Sequence, residues 1–391
     1  MYMYMYMCTC CKFLTTQRET FGVRAAARTR FGFHPSVQPP LRARPSIHPK
    51  LAPPPMEDLN LDQLTAAQTD AVARARDIYE DAGGVLDSMY EPFLVRFLLL
   101  HKWRPASAAK MLKATAKWRK AEGADTIRAK LIAAAADGSG ESSSFGFAQF
   151  PYSQAMLQRV LLIPSVGYTK TGDVVNVVQI GSIDTAEWCE AMTDRDFGTF
   201  NLHLLEFYLY HCDRASVQTR RLVRNTVVFD CHGTAFKQLT FKVIRRVNQI
   251  APLPDLYYPE LVGVTFALNA PWVVYRLWSL IKGLLSRDLQ SRIHISSPEA
   301  GAGGLDDFVH APSLPRFMTG GQAKTLPGEL VDSLGLTRIP SEDLQRLLIA
   351  NREAIPLASG ATVPGVALDT ASVAAAAMTD DRNGRGGGYD C

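Results

Sequence analysis

Residues 257–295 read YYPELVGVTFALNAPWVVYRLWSLIKGLLSRDLQSRIHI, and three physically distinct pieces follow one another in this stretch. Val264 to Leu268 is a short β-rich apolar run between Gly263 and the turn-like Asn269-Ala270-Pro271, which predicts a buried strand. From Trp272 to Leu285 the period changes to helical. Arg276, Ser279, Gly283, Ser286 and Arg287 fall on one side, and Val273, Leu277, Leu280, Ile281 and Leu284 fill a wide opposite face. Arg292 to Ser296 is a second strand candidate. Strand, markedly apolar helix and strand in succession predict a helix lying over a sheet; periodicity alone does not distinguish a specialised helix from an ordinary α/β crossover.

The same order extends on both sides. Val160 to Ile163 and Val174 to Ile180 are strand candidates joined by the turn Lys170-Thr171-Gly172-Asp173. Phe197 to His211 reads as a helix, Thr226 to Phe229 as a strand and Leu239 to Ile250 as a helix. Strands alternating with helices in this way predict a largely parallel sheet with crossovers on its faces. Upstream, residues 58–136 are helical in pattern, stopped at Gly83-Gly84 and restarted near Pro92 and Pro105, with Trp103 and Trp118 as packing anchors. Asp137 to Ser144 is a Gly/Ser-rich linker, and Ser341 to Arg352 is one further helix candidate.

Composition narrows the function classes. The net charge of +4 is unevenly spread: before Met56 there are eight Lys or Arg against Glu19 alone, a balance of +7, so the remainder carries about −3 and gives no general basic field for nucleic acid. Seven cysteines without paired CxxC elements indicate neither a zinc site nor a disulfide framework, so no metal site is expected. No apolar run reaches the roughly 18 residues of a membrane span. Residues 1–55 are Arg- and Pro-rich and poor in acids, and read as a disordered leader, as sequence ahead of a start at Met56, or as a transit-like segment for organellar targeting. Residues 322–391 read as a mostly disordered tail.

The Tyr258-Pro259-Glu260 turn, the strand ending in Asn269-Ala270-Pro271, and the apolar helix with Lys282 resemble the core of the CRAL-TRIO lipid-binding domain. LVRFLLLHKWRPASAAKML and the Lys117-Trp118-Arg119-Lys120 run resemble its helical lead-in, and Leu314 to Gly321 (LPRFMTGG) resembles its closing element. The resemblance implies an α/β CRAL-TRIO domain over 145–321: a mostly parallel sheet with crossover helices and a gating helix, behind an all-helical lead-in over 58–136. It implies a non-enzymatic, monomeric, cytoplasmic protein that docks reversibly on membranes as a peripheral protein. No cofactor is implied beyond a bound lipid, a phospholipid such as phosphatidylinositol or a sterol or isoprenoid. The partners are then membrane lipids, with lipid transfer or presentation as the function; the alternative is a membrane-targeting module that senses lipid without bulk transfer.

On this resemblance Glu260 and Arg292 are the lipid-headgroup candidates, Trp272, Val273, Leu277, Leu280, Ile281 and Leu284 the gate and pocket, and Val228, Thr265, Phe266 and Ala267 the pocket strands. The chain departs from the family in four places. Leu99, Leu100 and His101 stand where arginines are usual, Leu261 replaces an arginine after the glutamate, Leu289 stands where a polar residue is usual, and Asn225 and Val227 replace hydroxyl-bearing choline contacts. The loss of those hydroxyls favours a ligand held mainly by its hydrocarbon part. A plain ion pair between Glu260 and Arg292 at the surface is the bland reading of the same residues. Asp230-Cys231-His232-Gly233 is the most enzyme-like spot, but it stands without a Gly-x-Ser-x-Gly elbow, GxGxxG or P-loop and is expected to be a structural turn.

Overall fold

The structure, a computed structural model, describes residues 58–136, 161–181, 192–235, 253–282, 287–298 and 305–309, and positions 185, 189, 190, 238, 242, 245 and 246. The leader, the linker, the closing element, the tail, Leu284 and most of the helix expected at 239–250 lie outside the described residues, as do the side chains of Leu277, Leu280 and Ile281.

Four helices make the lead-in: α1 (Ala66–Asp81), α2 (Tyr90–Leu100), α3 (Pro105–Glu122) and α4 (Ala124–Ala136). Their ends follow local chemistry. The helical pattern that opens residues 58–136 is split, because Thr65 forms a capping box with Gln68 and starts α1 afresh after a 3-10 turn at Leu61–Gln63. Gly83, at φ +82°, closes α1. Pro105 occupies the first turn of α3, where its missing N–H costs nothing, and Gly123 stops that helix in the left-handed region.

The second part is a five-stranded sheet in the order β1 (Leu161–Tyr168), β2 (Val174–Gln179), β3 (Asn225–Asp230), β4 (Val262–Leu268) and β5 (Ile293–Ile295). β1 and β2 form the expected antiparallel hairpin, and the three remaining pairings are parallel. Between β2 and β3 runs α5 (Asp194–Thr219), much longer than the expected Phe197–His211. Thr193 and Asp196 cap its start reciprocally. Its polar end reads as loop in sequence, yet Asp213 and Ser216 are buried; Ser216 Oγ donates to the Cys212 carbonyl and accepts the Val223 N–H, turning the chain into β3. The short α6 (Leu253–Tyr257), the helix α7 (Trp272–Ile281), α8 (Arg287–Ser291) and α9 (Leu305–Phe308) complete the described elements.

Trp118 of α3 stacks on Tyr257, ring centroids 4.0 Å apart, and meets Tyr258 edge-on, so the lead-in packs on the tyrosine-proline-glutamate turn. Three buried arginines join the two parts as well. Arg96 and Arg128 both bond the Asp213 carboxylate, and Arg119 forks onto Glu206.

His203, buried in α5, has its pKa pushed down to about 4 by burial, helped by the nearby Lys130 charge. The unfolded chain therefore takes up a proton near pH 6.5 that the folded chain refuses until about pH 4. Stability should fall as pH drops through that window, by on the order of 1–3 kcal/mol. In urea melts between pH 7 and pH 4, His203→Asn is expected to flatten the slope; an unchanged slope would assign it to the carboxylates.

Candidate functional site

The parallel register places the residues that precede each strand side by side. Asp173 enters β2, Arg224 enters β3, Glu260 lies just before β4 and Arg292 enters β5, a row of alternating charge along the amino edge of the sheet. Asp173 Oδ1 accepts the Arg224 N–H at 3.0 Å and an Arg221 guanidinium N–H at 2.9 Å. Glu260 is bracketed: Oε2 lies 3.4 Å from Arg224 Nε and Oε1 lies 3.5 Å from Arg292 Nη2. Glu260 and Arg292 are each about 16% exposed and Arg224 about 4%, so the pair expected at the surface is a largely buried triad. Burial pushes the Arg224 guanidinium below its ordinary pKa while Glu260 pulls it back up. Both contacts are long for charge-assisted hydrogen bonds, which gives a ligand oxygen room to compete for them.

Glu260 itself sits at φ +52°, in the left-handed region that costs a non-glycine residue about 1 kcal/mol. Sequence reading missed Arg224 altogether. Its one signal was a charged residue directly before an apolar strand, which many strands share.

The opposite, carboxyl edge is where open α/β sheets usually present ligands, and here it is closed by its own hydrogen bonds. Asp230 Oδ1 accepts the His232 N–H at 3.1 Å and the Asn269 side-chain N–H at 2.9 Å, and Oδ2 accepts from Gln179 at 3.2 Å. The Cys231 thiol is buried, and burial next to Asp230 pushes its pKa up to about 12. His232 and Gly233 form a turn here, as expected.

The pocket candidates divide. Register puts Val228 beside Val177 and Phe266 on one face of the sheet, where Phe266 packs on His294 and Phe308. Thr265 and Ala267 point to the other face with Val227 and Phe229. The four strand residues assigned to one pocket therefore cannot line one face together, because successive side chains of β4 alternate. In α7, Val273 is buried as expected, but Trp272 is about 65% exposed, on the side of Arg276 and Ser279. It is a surface aromatic in this conformation, one helical turn from Arg276. Asn225 is fully buried and bonded to Asn176, and Val227 is buried beside it, so these two positions are core.

One cavity, of about 90 Å³, lies between the lead-in and α5, lined by Tyr79, Arg119, Asp125, Arg128 and Asp213 among others. It has room for a few water molecules, not for an acyl chain. Among the described residues no group of His, Cys, Asp and Glu is arranged to hold a metal, and no helix is long and apolar enough to cross a membrane.

The CRAL/TRIO domain family model matches residues 159–320, spanning the whole sheet and the amino-edge triad. The chain is 22% identical over 268 residues to the phosphatidylinositol transfer protein CSR1 of Eremothecium gossypii, covering 67% of this chain and 54% of that protein. It is 25% identical over 237 residues to the SEC14 cytosolic factor of the same organism (59% of this chain, 70% of that one). To the Sec14 cytosolic factor of Schizosaccharomyces pombe it is 25% identical over 244 residues (61% and 77%). The chain thus spans about half the length of the first of these relatives and 70–77% of the other two. Glu260, Arg292 and Arg224 all lie within the matched residues, whereas Arg96, Arg119 and Arg128 reach them from the lead-in.

Proposed function

We propose that the chain binds a lipid whose hydrocarbon part enters an apolar pocket of the CRAL/TRIO domain and whose phosphorylated head reaches the Arg224–Glu260–Arg292 triad, and that it moves this lipid between membranes. The observation that carries the reading is the triad's chemistry. Two guanidiniums offer forked donors to phosphate oxygens, and a carboxylate between them accepts hydroxyl hydrogens, a donor and acceptor set that suits a phosphorylated polyol. A relative named as a phosphatidylinositol transfer protein supports it. So does the hydrophobic effect: each CH₂ leaves a membrane at a cost of roughly 0.8 kcal/mol unless an equally apolar cavity receives it. In this reading α7 gates the cavity, with Trp272 and Arg276 meeting the bilayer interface. The domain works without chemistry of its own, as a peripheral, monomeric carrier with no cofactor but its lipid.

The test is native mass spectrometry of the full chain after incubation with vesicles of phosphatidylinositol, phosphatidylcholine and sterol. One phosphatidylinositol per chain is expected, and Glu260→Gln should lower its loading about tenfold, equal to about 1.4 kcal/mol, while sterol loading is unchanged. A sterol or isoprenoid taken up in preference, and indifferent to Glu260→Gln, would overturn the headgroup assignment. Vesicle binding without any lipid exchange would favour the membrane-sensing module over the carrier.

A further inference from the structure

We infer that Arg96, on the lead-in helix α2, is a positioning residue for the headgroup triad and makes the lead-in part of that site. The inference rests on the function proposed for Glu260. Arg96 is about 1% exposed and touches neither oxygen of the Glu260 carboxylate. Its guanidinium instead grips the backbone behind the triad: Nη1 donates to the Glu260 carbonyl at 2.9 Å, and Nη2 donates to the Val223 carbonyl at 2.7 Å. Val223 immediately precedes Arg224. One planar fork thus sets the spacing between the two chain segments that carry the opposed charges, and it holds Glu260 in its left-handed conformation.

Arg96 is itself oriented from the far side. Asp213 Oδ1 lies 3.3 Å from its Nη2, Asp213 Oδ2 accepts from Arg128 of α4 at 3.1 Å, and Arg128 donates to Asp87 at 2.8 Å. The relay runs from the half-buried Asp87 through α4 and α5 to the triad. A lysine at 96 keeps the charge beside Asp213 and loses the fork, since an ammonium cannot span both carbonyls in one plane.

The experiment measures the ratio of phosphatidylinositol to sterol loaded by the full chain well below its melting temperature, for Arg96→Lys, Glu260→Gln and the double variant. Arg96→Lys should lower the ratio about tenfold, and the double variant should fall no further than Glu260→Gln alone, because both act through one group. A merely structural role would depress both lipids together and leave the ratio unchanged, which overturns the inference, as would losses that multiply in the double variant. If Glu260→Gln leaves the ratio intact, the headgroup reading fails; if Glu260→Gln lowers it and Arg96→Lys does not, only the positioning role fails. Should Arg96→Lys not fold, Asp87→Asn, at the solvent side of the relay, replaces it: a two- to threefold fall supports the relay, and an unchanged ratio refutes it.

Discussion

Arg119→Met is expected to destabilise the protein by about 3–5 kcal/mol, the cost of stranding a buried charge. Glu206, fully buried in α5, accepts both guanidinium N–H groups of Arg119 at 2.6 and 3.0 Å and the Tyr258 hydroxyl at 2.5 Å. Arg119 in turn donates Nε to Asp125 at 2.8 Å and lies over the Phe93 ring. Burial opposes the Arg119 charge, but Glu206 more than compensates and holds its pKa well above the ordinary value. Without the guanidinium, the carboxylate keeps one neutral hydroxyl for a partner and must take up a proton or drag water inward. The joint between the lead-in and the Tyr258-Pro259-Glu260 turn then loosens from both sides.

Urea unfolding of Arg119→Met, Glu206→Met and the double variant reads this directly. The double variant should recover most of the loss, because a pair of apolar side chains of similar volume leaves no charge unpaired. A single Arg119→Met change costing under about 1 kcal/mol, in the range of an exposed pair, would show that the charges are solvated in solution and that the two parts are not joined this way.

Gly181→Ala should cost at least about 3 kcal/mol, at or beyond the upper end of ordinary overpacking. Gly181 follows β2, and a Cβ built there lands on the carbonyl oxygen of His232, with the backbone of Gly233 directly behind. Backbone cannot rotate away as a side chain can. Gly181 also gives its carbonyl to the Gln238 side chain at 3.0 Å, so shifting it breaks a second tie. A useful contrast is Gly83→Ala, where nothing lies within 4 Å of the added Cβ and only the φ of +82° opposes the change; about 1 kcal/mol is expected. Thermal melts of the two variants should differ clearly. Equal melting temperatures would mean that the carboxyl edge of β2 and β3 is looser than the close approach of Gly181 and His232 requires.

Much of the architecture could be read from local patterns. The succession of β4, α7 and β5 follows from a switch in period from 2 to 3.6 and back, bounded by Asn269 and Pro271. The lead-in helices stop and restart at Gly83 and Pro105, and the hairpin turn at 170–173 joins β1 to β2 as expected, whereas the stop at Gly123 emerged only in the structure. Glu260 and Arg292 were legible through resemblance, and they do meet. The acids of α5 were legible only in hindsight: Glu206 and Asp213 stand two helical turns apart on a face otherwise apolar, a spacing that predicts a buried pair of acids only once three arginines are known to face it.

The chain by itself therefore determined its elements, their order and the alternation of faces, because caps, breakers and hydrophobic period act over a few residues. Only the tertiary structure decided that Arg224 joins Glu260 and Arg292, since it is the register of three parallel strands that aligns the residues before them. It also decided that Thr265 and Phe266 serve opposite faces of one sheet, that Trp272 faces solvent, and that an arginine from the lead-in reaches behind the triad. Those are contacts between segments far apart in the chain, and their partners are chosen by packing and by the need to satisfy every buried charge, which no local pattern encodes.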